Sequence, residues 1–280
     1  MVKHLIPANL DEALKALSEH EYRILSGGTD VMVQKRAGTG VLPTFDKDAL
    51  YVFNLSELKY VTDDKSFVHI GSETTIEDVM NHPKTPKLLS KVIAEIAAPG
   101  IRHMATLAGN IANASPAGDS LVALYALDAH IELQSLKGVR NVPLQELIVG
   151  VRKTIINPDE MITKISIPKS RFDHVVWTKV GGRQADAISK VSFAGCYRIE
   201  DGRLADIRIA MGAIAPTVIR SRTIEKQMIG KTIDEIKAVL PMILDYYREL
   251  IKPIDDQRSS AEYRRNVAVN LLTDFIENVG

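Results

Sequence analysis

At roughly 150 residues per domain, a chain of 280 residues makes about two domains, and its 45% hydrophobic and 25% charged content is that of a globular protein with its own core. Thirty-five basic residues balance thirty-five acidic ones, so the basic surplus of a dedicated nucleic-acid binder is excluded. The one cysteine, Cys196, excludes an intramolecular disulfide and any four-cysteine cluster or zinc ribbon within the chain; it predicts a reducing, cytoplasmic compartment.

The chain opens on a predicted helix. Asn9 or Asp11 stands where a cap belongs, and Leu10, Ala13, Leu14 and Leu17 fall at helical spacing. Tyr22 to Leu25 reads as a short strand running into Ser26-Gly27-Gly28-Thr29-Asp30 and then into residues 31–36. Tyr51 to Asn54 and Val68 to Gly71 read as strands, and Thr75 to Asn81 and Lys87 to Ala97 as helices. A second small-residue loop is expected from Thr106 to Asp119, with a helix from Ser120 to Leu127 after it. His130 to Leu136 and Met161 to Ile167 alternate as strands do, and the polar stretch 168–173 marks a domain boundary. Beyond it, Val175 to Val180, Val191 to Ile199 and Asp206 to Gly212 read as strands, with the turn pair Asp201-Gly202 between the last two. Ile233 to Tyr247 marks one amphipathic helix with Pro241 as a possible kink. Ser259 and Glu262 form a capping-box pattern ahead of a last helix. A three-strand antiparallel sheet packed on helices fits this half. The longest apolar run, 121–127, is far too short to span a bilayer, and the start of the chain carries no signal-peptide pattern.

Two segments have the composition of ligand loops. In Ser26 to Asp30, two glycines allow a sharp turn and close backbone approach, successive N–H groups form a nest for phosphate oxygens, and Thr29 adds a hydroxyl. Asp30 suits a phosphate poorly and a helix cap better; an ordinary strand-to-helix turn is the alternative. The stretch from Ala105 to Asp119 is built from small residues with short hydroxyl, amide and carboxylate groups, as a loop winding around a polar chain would be. Its alternative is a packed small-residue crossover. Neither segment is a P-loop, there is no G-x-G-x-x-G fingerprint, and no histidine pair has metal-ligand spacing. Cys196, in an apolar strand, is expected to be buried and inert.

Together, the two loops resemble those of the FAD-binding medium subunit of the molybdenum hydroxylases, the xanthine dehydrogenase family. There the first loop reads like A-G-G-T-D, and here Ser26 to Asp30 stands in its place. The second reads like I-R-N-x-A-T-x-G-G-N-I-x-x-x-S-P-x-x-D, matched here from Ile101 and Arg102 through Thr106, Gly109 and Asn110 to Ser115, Pro116 and Asp119. Lys179, Arg183, Asp186, Ile188, Lys190 and Val191 are similar to the family's K-x-x-R-x-x-D-I-x-x-V stretch. Gly212 to Pro216 with Arg220, and Ser260-Ala261-Glu262-Tyr263-Arg264, match two further motifs, so the likeness runs along the whole chain. Ala108 departs from the first glycine of G-G-N, and His103 stands where Asn is usual.

The resemblance implies an α+β protein. A vanillyl-alcohol-oxidase (PCMH)-type FAD-binding domain over residues 1–170, in subdomains of about 1–55 and 56–170, precedes a C-terminal α+β domain over 171–280. It implies that Ile24, Leu25, Ser26, Gly27, Gly28, Thr29, Asp30 and Val31 line the FAD pyrophosphate. Thr106, Leu107, Ala108, Gly109 and Asn110 would form the second flavin loop. Asp119 would hold the ribose or ribityl region, Ile162 would pack near the flavin, and Lys179 would reach it from the second domain. No catalytic side chain and no metal ligand is expected. Molybdopterin and [2Fe-2S] clusters would sit on a large and a small partner subunit, with electrons passing through FAD to NAD+ or another acceptor. A stand-alone FAD-dependent oxidoreductase of the same superfamily and a non-catalytic assembly subunit are the alternative readings. The hydroxylated substrate is not legible in this chain.

Overall fold

A computed structural model describes residues 3–36, 38–42 and 44–279. The chain forms two compact units. One gathers Met1–Thr85, Ala97–Asn113 and Ala129–Pro168; the other gathers Pro86–Ile96, Ala114–Asp128 and Lys169–Gly280.

The first unit holds two main sheets beside a two-stranded pair, Ile148–Gly150 with Lys153–Thr154. The smaller is parallel, with strand Ala49–Tyr51 between His4–Leu5 and Arg23–Leu25. Helix Leu10–Glu19 buries Leu14 and Leu17 in the same core as Leu50. Asn9 starts that helix, its side chain accepting from the Glu12 amide at 2.9 Å. The larger sheet is antiparallel, in the order Val61–Asp63, Phe67–Gly71, Met161–Pro168, His130–Ser135, Gly138–Pro143. Its central strand, Met161–Pro168, is buried along nearly its whole length. Its register shifts between Ile162 and Lys164, and the carbonyl of the intervening Thr163 accepts from the Ser72 amide at 3.1 Å. That bond holds the turn after strand Phe67–Gly71.

In the second unit, strands His174–Val180, Val191–Glu200 and Arg203–Gly212 form the expected antiparallel sheet. Asp201 and Gly202 turn between the last two with φ of 50° and 73°, the left-handed pair a tight hairpin requires. Helix Ala261–Glu277 packs on this sheet. A Cβ on Gly195 would fall 2.4 Å from the Phe275 ring, so the bare backbone is what admits that ring. Helix Asp119–Ala126 is buried at every residue, and Gly212 passes so close that a Cβ there would stand 2.6 Å from Val122.

Arg220 closes the far end of that helix. Its guanidinium donates to the carbonyls of Tyr125 and Ala126, to the carboxylate of Asp128, and with two nitrogens to Glu225. Cationic charge at a helix C-terminus is favoured by the helix dipole. The side chains of Arg220 and Glu225 are only 4% and 5% exposed, so neither charge is tolerable without the other.

Several elements differ from the sequence expectation. The second strand of the small sheet starts two residues earlier, at Ala49. Residues 233–247 do not form one kinked helix. Helix Ile233–Ala238 ends at Val239 and Leu240–Leu250 begins beyond it, because Pro241 has no N–H to give and is accommodated only in a first turn. The last helix is capped by Ser260, which accepts from the Tyr263 amide, and not by Ser259. Cys196 is buried as expected, and burial pushes its thiol up to about 12.

Arg220→Ala strands the buried Glu225 carboxylate, while Asp128 keeps Arg208 and Arg222, and should cost about 3–5 kcal/mol, read as a lowered midpoint in urea unfolding. Arg220→Lys should restore only part of the loss, since one ammonium cannot reproduce the bidentate fork.

Candidate functional site

Strand Arg23–Leu25 delivers the chain into the first loop. Leu25 is buried in the core and its carbonyl accepts from the Val52 amide at 2.9 Å, so neither its side chain nor that carbonyl is open to a ligand. Gly27 lies against the backbone of Met104: a Cβ there would sit 1.7 Å from the Met104 carbonyl oxygen. Only glycine permits this approach. Gly28 has a φ of 70°, the left-handed conformation that other L residues resist, while the space around its Cα is open apart from Met32 Cγ at 3.6 Å. Among the described residues, no protein group accepts from the amides of Gly27, Gly28, Thr29 or Asp30. Four consecutive donors without a described protein partner, at a glycine turn, have the composition that suits an anionic group.

Asp30 begins the short helix Val31–Lys35 but makes no side-chain cap, contrary to expectation. Its carboxylate is taken by the Gln34 side chain and by Arg152 at 3.4 Å. Gln34 and Arg152 also meet on Asn113 Oδ1, at 3.2 Å and 2.6 Å. Arg152 thus offsets the one acidic charge of the loop. Arg152, Gln34 and Asn113 carry no motif, and sequence reasoning missed all three.

The second segment is not the open loop that was expected. Residues Leu107–Asn113 are a helix, with Leu107, Ala108 and Ile111 turned into the core. Thr106 opens it, its Oγ1 accepting from the Gly109 amide at 3.0 Å. The methyl of Ala108 is buried with the core face, and alanine suits a helix better than the glycine it replaces. Gly109 is exposed at the helix surface, Asn110 half-buried, and His103 exposed. Ile162 is buried in the central strand, at the register shift.

One carboxyl group ties the two segments together. The Ser26 hydroxyl lies 2.5 Å from Glu73 Oε2 and 3.3 Å from Thr106 Oγ1. Glu73 sits in the turn after strand Phe67–Gly71, its amide donating to the Leu58 carbonyl at 3.0 Å. It is 2% exposed, and burial pushes its carboxyl above the ordinary value of 4.5 against the opposing pull of Ser26, Ser72 and Lys59. A lone glutamate 47 residues from Ser26 leaves no pattern in the sequence.

Asp119 and Lys179 belong to the second unit. Lys179 Nζ is 2.8 Å from Asp119 Oδ2, both side chains are almost wholly buried, and Ser189 donates to Asp119 Oδ1 at 2.6 Å. Lys179 also donates to the Glu95 carbonyl at 2.7 Å. Also in this unit is a cleft of about 410 Å³, lined by Lys169, Arg171, Asp173, Arg198, Glu200 and Asp206 among others. Its mixed charges offer no apolar wall for a flat ring. Among the described residues no cluster of three metal-ligating side chains occurs, and no helix is long and apolar enough to cross a membrane.

These features define a two-unit α+β protein with a glycine turn whose amides find no acceptor among the described residues. Residues 1–170 match the family model described as the FAD binding domain in molybdopterin dehydrogenase, and residues 178–279 match the CO dehydrogenase flavoprotein C-terminal domain. The chain belongs to the FAD-binding medium subunits of the molybdenum hydroxylases. It is 31% identical over 280 residues to the xanthine dehydrogenase FAD-binding subunit of Escherichia coli O157:H7, covering 96% of this chain and 92% of that protein. It is 32% identical over 272 residues to the glyceraldehyde dehydrogenase medium chain of Sulfolobus acidocaldarius, covering 95% and 93%. Carbon monoxide dehydrogenase from Hydrogenophaga pseudoflava shares the fold at a TM-score of 0.87 and 24% identity, covering 98% of this chain and 95% of that one.

Gly27→Ala forces the two segments apart. It should lower stability by about 1–3 kcal/mol, the usual cost of overpacking, in thermal unfolding of the full chain. Gly100→Ala, in helix Pro99–Arg102 where an added Cβ meets nothing within 4 Å, should leave the unfolding midpoint unlowered or raise it.

Proposed function

We propose that this chain is the FAD-holding electron-transfer subunit of a cytoplasmic molybdenum hydroxylase complex, taking electrons from [2Fe-2S] clusters on a small partner and passing them to NAD+ or another acceptor. The molybdopterin centre belongs to a large partner subunit. The observation that carries this reading is the set of four amides at Gly27 to Asp30 without an acceptor among the described residues, locked by the Gly27–Met104 approach beside Thr106. The donor set fits a diphosphate: consecutive backbone N–H groups, the hydroxyl of Thr29, and an acidic residue already engaged by Arg152.

When bound, FAD would supply the coupling of single-electron arrival to two-electron departure. The chain's own task is binding and orientation. The first loop gives N–H donors, helix Leu107–Asn113 fixes the height of Thr106, and the strand carrying Ile162 backs that helix. A single buried cysteine cannot ligate a cluster, which supports clusters on another chain. The relatives' names mention xanthine and glyceraldehyde on one kind of subunit, which supports substrate choice on the large partner.

The test is flavin content. The full chain, alone or with its partners, should release about one FAD per chain on denaturation. Gly28→Val should remain folded yet lose most of the flavin, because a β-branched residue at this φ costs on the order of 1–2 kcal/mol or more and re-aims the nest amides. A colourless wild type that takes up no added FAD overturns the proposal.

A further inference from the structure

The Glu73 carboxyl is not consumed by the electron-transfer reading. It lies behind the first loop, 2.5 Å from a half-buried Ser26 hydroxyl, and Ser26 is bracketed on its other side by Thr106 Oγ1 at 3.3 Å. A serine hydroxyl has one proton to donate. If Glu73 is ionised it can only accept, so the Ser26 proton is committed inward. If Glu73 is neutral, its own O–H donates to Ser26 Oγ, and the Ser26 proton is released. We propose that Glu73 is a positioning residue that sets the direction of the Ser26 hydroxyl, so that the neutral acid frees Ser26 to donate to an anionic diphosphate on the first loop. The inference rests on the flavin-loop reading above.

The surroundings of Glu73 favour the neutral form. It is 2% exposed, and its carboxyl is raised chiefly by burial. The groups facing it are few. The segment after Ser56–Leu58 brings Lys59, the charged residue acting on it, which also lies over the Phe53 ring at 4.1 Å. The first loop brings Ser26, the start of helix Leu107–Asn113 brings Thr106, and the central strand brings the Thr163 carbonyl to the neighbouring Ser72 amide. None of these three carries charge. For an acid whose folded value is raised, the neutral state persists above the ordinary 4.5 and is lost as pH rises through the raised value. Affinity for the anion therefore falls with rising pH. By linkage, binding at the upper end of that range takes up a proton.

FAD affinity of the full chain, measured by flavin fluorescence from about pH 5.5 to 9, tests this, with proton uptake measured by calorimetry in buffers of different ionisation enthalpy. The wild type should weaken about tenfold or more across the range, the worth of one hydrogen bond to a charged group. Glu73→Gln, which has no proton to gain or lose, should bind with no slope and take up no proton, at the low-pH affinity when its amide N–H faces Ser26. Ser26→Ala should bind weakly with no slope, and it serves as the second route should Glu73→Gln fold poorly. A flat wild-type profile, or a Glu73→Gln or Ser26→Ala profile with the wild-type slope, overturns the inference and leaves the flavin reading intact. A wild type that takes up no FAD at any pH overturns both.

Discussion

The first unit depends on a contact between two pieces of backbone. Gly27 and Met104 approach so closely that any side chain at position 27 would overlap a carbonyl oxygen. The approach brings the turn at Ser26 to the start of helix Leu107–Asn113, and with it the Ser26 hydroxyl to Thr106 and Glu73. Hydrogen bonds between hydroxyls are individually modest, near 1 kcal/mol each. They hold here because the backbone contact and the buried turn at Glu73 have already fixed the ends. The left-handed Gly28 follows directly and turns the next amides away from protein acceptors.

Charge is handled differently in the two units. In the first, Asp30 is exposed and Arg152 offsets it at the surface, where an ion pair contributes little to stability but does change the local potential. In the second, Arg220 with Glu225, and Lys179 with Asp119, are buried. Such pairs gain little net stability over apolar side chains of the same size, but losing one partner is expensive. What they supply is geometry. Arg220 reads the carbonyls at the end of helix Asp119–Ala126, and Lys179 with Ser189 holds its beginning.

Much of this was legible in the sequence, and what was not has physical causes. The strands with period-two alternation, Met161–Pro168 and Val191–Glu200, stand where the pattern put them, as does the Asp201-Gly202 hairpin. Helix Leu107–Asn113 was hidden because small residues give a weak amphipathic signal and Gly109 argues against a helix. The break at Val239 was hidden because an apolar pattern on the correct face continues across it; only the missing N–H of Pro241 forces a new first turn. Family motifs brought Ser26 to Asp30 and Thr106 to Asn110 into view but said nothing of Glu73, Gln34 or Arg152. Those residues matter through distance in space, which no local spacing encodes.

Asp119 shows how far a motif can go. The resemblance placed it on a ribose or ribityl chain, and in the second unit its two oxygens are engaged by Ser189 and Lys179. A buried carboxylate satisfied by its own neighbours is first a structural element, since removing it would strand the Lys179 ammonium. It also begins the helix whose other end Arg220 closes, and Arg220 belongs to a motif 92 residues from Asp128. Two of the sequence signatures therefore brace one buried helix from opposite ends, whereas the glycine turn at Ser26 to Asp30 leaves its donors open.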